Sequence, residues 1–155
     1  MDNNVIRNKA GLYAAMYTVF GLIFSFFLLI VAARSSSTIG LFFFFLPEFT
    51  NDLCFKIGLI ALVVLSYFLG NRATIDILVK HRNKYLVIYL YGLINLLTAS
   101  VIYNITRLVL YDNEFDLDSM LMLFGRPIFI GLVFGLPSII LFGTIFARQI
   151  TKLKA

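Results

Sequence analysis

Side chains able to do chemistry are few in this chain. His81 is the only histidine and Cys54 the only cysteine. A metal centre needs several His, Cys or carboxylate ligands at short, regular spacing, and a thiol relay needs a second cysteine. Neither requirement is met. His81 sits in a basic run, where an ordinary exposed imidazole is expected. No glycine-rich phosphate loop is present, and no pair of carboxylates falls in or near the apolar segments where acid–base chemistry would need one. Asp112, Glu114, Asp116 and Asp118 crowd into YDNEFDLDS, but that run lacks the length, the glycine and the ligand order of a calcium loop. A solvated surface is expected there, able at most to meet a basic ligand or a divalent ion weakly. No catalytic residue, metal ligand or cofactor is therefore expected, and the chain reads as non-enzymatic.

What remains is the chemistry of charge and of amides in lipid. Gly70 to Tyr85 holds Arg72, Lys80, Arg82 and Lys84 against the single acid Asp76. Arg72, Asp76 and Lys80 stand one helical turn apart in succession, with Ile75, Leu78 and Val79 on another face. The spacing predicts a helix that continues past the bilayer as a short amphipathic extension. Its salt-laced face is expected to be solvated, or to serve with Arg148, Lys152 and Lys154 as a dock for anionic lipid or a cytoplasmic protein. Asn95 and Thr98 share a face with Ala99, and an amide in lipid must find a partner, so this face is expected to look into a helix bundle. Gly131 and Gly135 form a GxxxG pair that Ser138 extends by a turn, a surface for close contact between helices or between subunits.

The elements that position these groups follow from composition. Of 155 residues, 61% are hydrophobic and 14% charged, far from the balance of soluble domains. The fold class expected is all-α: a polytopic membrane protein with four transmembrane helices at about 10–33, 53–70, 85–110 and 127–147, each close to the ~20 residues that cross a bilayer. A basic cytoplasmic loop at 71–84 and an acidic outer loop at 111–126 separate them. Gly11, Ala14, Ala15 and Thr18 give the first span a small-residue face. LFFFFLPEF, from Leu41 to Phe49, is too short to cross and reads as an aromatic anchor at the interface. Gly125-Arg126-Pro127 is expected to open the last span, and Pro137 to kink or weaken it.

Charge sets the orientation. With both termini and the central loop inside, nine Lys/Arg and two Asp lie there, against four Lys/Arg and six acids outside. Short loops rich in Lys and Arg stay in the cytoplasm, so the topology expected is N-in/C-in. No acid falls within the four spans as drawn, which argues against a proton-coupled pump. An oligomeric pore lined by Asn95, Thr98 and Ser138 stays open as an alternative.

In size, span number, orientation and lack of a catalytic motif, the chain resembles the small four-helix membrane subunit of two-gene antiphage systems of the Kiwa type. That resemblance implies a homo-oligomeric sensor of phage infection in the bacterial inner membrane, working with a cytoplasmic DNA-binding effector; the chain itself is expected to bind no nucleic acid directly. The chain is also similar to immunity proteins against pore-forming colicins, which have a comparable acidic outer segment before the last span, here Asn113-Glu114-Phe115-Asp116-Leu117 followed by Gly125-Arg126-Pro127. This second resemblance implies blockade of a toxin's pore helices within the bilayer. The neighbouring classes are thus sensor or adaptor, immunity protein, and small homo-oligomeric channel or transporter.

Overall fold

The computed structural model describes residues 3–32, 52–111 and 117–153, and every extended element among them is helical. Four helices follow in order: α1 (Asn3–Ala32), α2 (Leu53–Leu78), α3 (Lys84–Tyr111) and α4 (Leu117–Leu153). α1 packs on α2 and α4, and α3 packs on the same two. The contacts run antiparallel around this ring. Ala14 near the start of α1 meets Gly70 near the end of α2, Asn95 of α3 reaches Leu62 of α2, and Gly135 of α4 meets Leu96 of α3. The result is an up-down-up-down bundle.

Its packing is inside out compared with a water-soluble bundle. Ala10, Ala14, Ser66, Ala73, Thr74, Asn95 and Asn104 are buried, whereas Leu12, Ile23, Phe27, Ile60, Phe68, Leu86 and Val109 face outward. Small residues let backbones approach and large apolar ones meet the surroundings, which is the arrangement that lipid favours. Three segments, Val5–Leu28, Leu53–Leu78 and Lys84–Leu110, are long and apolar enough to cross a bilayer. The chain is a helical membrane protein. α4 is not among those three.

Local chemistry fixes the helix ends. Asp52 caps α2, its carboxylate accepting from the Cys54 amide at 2.9 Å, and Asn83 caps α3, its amide oxygen accepting from Tyr85 N at 3.0 Å. Each satisfies a donor that has no partner inside the helix. Between them the chain turns at His81, whose φ of 52° lies in the left-handed region.

Several boundaries differ from the sequence expectation. α1 begins at Asn3, so the polar lead is itself helical, and α4 begins at Leu117, inside the stretch expected as outer loop. Leu117 to Phe124 is rich in Leu and Met, strong helix formers, and carries the helix through Pro127 and Pro137 without a break. α2 does run past its apolar core to Leu78, leaving only 79–83 as a connection. The anchor segment 41–49 lies outside the described residues, as do Asp112, Glu114, Asp116 and Lys154.

Candidate functional site

At the end of the bundle where α1 and α3 begin and α2 and α4 finish, nine buried residues including Ala10, Ala73, Ile77, Phe146 and Ile150 form a core. The carboxylate of Asp76 is set into this end. Asp76 is 3% exposed, which corrects the expectation of a solvated salt-laced face. The buried face of the extension carries Ala73, Thr74, Asp76 and Ile77, while Val79, expected on the apolar side, is 68% exposed.

Burial is tolerable because partners converge on the carboxylate. Tyr91 Oη donates to Asp76 Oδ2 at 2.6 Å, Lys80 Nζ lies 2.9 Å from Oδ1, and Arg82 Nη1 lies 3.8 Å from Oδ2. The Arg82 amide also donates to the Asp76 carbonyl at 3.0 Å. A buried charge without such partners would be strongly unfavourable. The cluster therefore ties the end of α2, the turn and the start of α3 into one unit.

It also decides the charge of the surface. Arg7, Lys9, Arg72, Lys80, Arg82, Arg148 and Lys152 are exposed around this end, and Lys84 is half-buried with Nζ 5.2 Å from the Tyr85 ring centroid. Asp76 is the one acid among the described residues there, and it is already engaged. What this end offers a partner is uniformly positive, a field that attracts acidic protein surfaces and anionic headgroups.

Farther along the bundle axis all four helices line a partly open cavity of about 130 Å³. Its walls are mostly apolar, with Tyr17, Phe142 and Phe146 among them, and small residues such as Gly21, Gly92 and Gly135 leave the space. Polar groups punctuate it. Ser25 and Ser138 share a hydrogen bond at 2.6 Å, and Asn95 donates from Nδ2 to the Leu62 carbonyl at 3.1 Å. Tyr91 lines the same cavity while holding Asp76, so one side chain joins the two features.

The structure gathers some expected site residues and separates others. Arg72, Lys80, Arg82, Lys84, Arg148 and Lys152 come together at the basic end. Asn95, Gly135 and Ser138 come together at the cavity, with Asn95 bonding between helices as expected. Thr98 is half-buried one turn away and does not line it. A Cβ on Gly135 would lie 2.7 Å from Leu96 Cδ2, so this part of the small face seats α4 on α3 of the same chain. Gly131 and Asp118 lie within α4.

Sequence reading missed the Asp76–Tyr91 bond, the Ser25–Ser138 pair and the burial of Asn104. The first had a usable signal, since a short connection between antiparallel helices brings an acid at the end of one beside a tyrosine near the start of the next. The chain matches no protein-family model, no curated protein and no solved structure.

Proposed function

We propose that the chain is a non-enzymatic sensor and adaptor of the bacterial inner membrane. In this reading all four helices cross, Asn3 and Leu153 lie on the cytoplasmic side, and the basic end docks an acidic cytoplasmic effector. The observation that carries it is the charge of that end, where seven exposed Lys/Arg face outward and the one described acid is buried. Lys and Arg in short segments remain cytoplasmic, so the same residues support the orientation and supply the docking surface. α4 packs along α3 from Gly135 to Gly143, which supports a fourth crossing beside the three apolar spans. Association of several copies would gather their basic ends and raise affinity by avidity. The event sensed lies at the membrane, such as phage infection in the systems the chain resembles.

Lys80 and Arg82 are poor choices for a test, because reversing them would place a carboxylate beside buried Asp76. Arg148 and Lys152 are exposed on α4, and neither has an ion pair among the described residues. The Arg148→Glu, Lys152→Glu variant should remain folded in the membrane and lose co-purification of its cytoplasmic partner. Undiminished co-purification would remove the adaptor reading. One observation favours a second reading, a small channel: the polar-punctuated cavity. Under that reading the purified chain conducts ions in liposomes, and Gly135→Leu alters the conductance.

A further inference from the structure

We propose that Arg72 and the outer face of α2 beneath it hold one phospholipid with an anionic headgroup, its phosphate on the guanidinium and an acyl chain along the apolar residues below. This site rests on α2 and α3 crossing a bilayer and does not depend on the docking of an effector.

Depth separates Arg72 from the cations at the tip of the bundle. It lies six residues before the end of α2 at Leu78, about 9 Å at 1.5 Å per residue. The Tyr91 phenol beside it belongs to a residue seven positions inside the start of α3 at Lys84, about 10 Å on the same measure. By contrast, Gly143 of α4 packs on Ile88 and Tyr89 of α3, so Arg148 lies about level with the first residue of α3 and Lys152 beyond it. A protein resting on the end of the bundle meets Arg148 and Lys152. Arg72 is set back along the flank, where the surroundings are lipid.

The order of residues on that flank matches the order of groups in a phospholipid. Ile60, Val64, Phe68 and Arg72 follow at four-residue steps and all are exposed, and residues so spaced lie one above another on a helix. The stripe runs apolar for about 18 Å and ends in a cation. Arg72 has no carboxylate within ion-pair distance among the described residues. A guanidinium presents a planar fork of donors that fits phosphate, and an exposed Arg at this depth gains by engaging one.

Charge nearer the tip selects the headgroup. The Asp76 carboxylate is shared between Lys80 at 2.9 Å and Arg82 at 3.8 Å, so this part of the face keeps an excess of positive charge. The ammonium of a choline or ethanolamine headgroup is repelled there, and an uncharged glycerol beyond the phosphate is not.

The test uses the full chain in a non-ionic detergent, with phosphatidylglycerol and phosphatidylcholine of identical acyl chains supplied in equal amounts and counted on the folded protein by native mass spectrometry. Phosphatidylglycerol should be retained about tenfold more than phosphatidylcholine. Arg72→Gln should lower its retention about tenfold as a charged hydrogen bond is lost, and Arg72→Lys, which keeps the charge without the fork, should fall between. Arg148→Gln removes the same charge from the tip and should cost far less. Equal retention of the two lipids by the unaltered chain would overturn the proposal. So would equal losses in Arg72→Gln and Arg148→Gln, the outcome for diffuse attraction to the whole basic end, or displacement of the lipid by soluble glycerophosphate. Undiminished lipid retention by Arg72→Gln with loss of a co-purifying effector would assign Arg72 to the protein partner and overturn it as well.

Discussion

Asp76 and Asn104 are both buried polar side chains on neighbouring helices, and they are treated in opposite ways. Asp76, near the basic end, has Tyr91, Lys80 and Arg82 on its carboxylate. Asn104, toward the other end of α3, is 0% exposed and neither its Nδ2 nor its Oδ1 has a hydrogen-bond partner among the described residues. The basic end is thus specified by one short hydrogen bond, from Tyr91, and by the ion pairs of Lys80 and Arg82 with the same carboxylate. The part of α3 near Asn104 is held by packing, and its unmet amide is a standing reason for the helices there to rearrange or to take up water or another donor. In the proposed sensor reading, this division lets one end present a fixed surface to the cytoplasm while the other responds to an event at the membrane.

The largest effect is expected at the helix crossing beneath the basic end. A Cβ on Gly70 would sit 2.5 Å from Ala14 Cβ and 3.2 Å from the Ala10 carbonyl, whereas at Gly21 the nearest atom, Ser138 Cβ, is 3.6 Å away. Gly70→Ala should therefore destabilise the folded chain by about 1–3 kcal/mol through overpacking. Gly21→Ala should be neutral or stabilising by up to about 1 kcal/mol, since alanine is the better helix former. Unfolding in mixed micelles measures both, and similar losses at the two glycines would erase the distinction.

The polar groups give the next effect. Tyr91→Phe removes the 2.6 Å bond to Asp76 and should lower the melting temperature by several degrees, because a buried acceptor loses a strong donor. Asn104→Leu should do the reverse, raising stability by up to about 1 kcal/mol as an unsatisfied amide is replaced by an isosteric apolar group. A large loss in Asn104→Leu would mean that the amide is bonded in the folded protein.

The smallest effect concerns the turn. His81 holds a left-handed φ of 52°, which glycine adopts without a Cβ penalty, so His81→Gly should gain at most about 1 kcal/mol in the same unfolding assay. A clear loss would show that the His81 side chain does more than occupy the turn.

Much of the fold was legible because lipid imposes it. Long apolar runs can satisfy their backbone only as helices, so both ends of α3 and the start of α2 were readable nearly to the residue, and the face carrying Asn95 and Ala99 followed from amide chemistry. The beginning of α4 was less legible. Gly125-Arg126-Pro127 suggested a helix start at Pro127, yet the Leu- and Met-rich stretch before it joins the helix. Asp76 was misplaced for a related reason. Its spacing with Lys80 gave the ion pair correctly, but helical periodicity could not reveal that Tyr91, on another helix, makes burial of the carboxylate tolerable. The cavity was illegible as a space, because it arises where small residues from four helices meet.

In the proposed topology the basic end faces the cytoplasm. With Cys54 replaced by alanine, Arg82→Cys and Arg148→Cys can be exposed to a membrane-impermeant maleimide in intact spheroplasts and again after permeabilisation. Both positions should resist the reagent in intact cells and react once the membrane is opened. Reaction of either in intact cells would contradict the account.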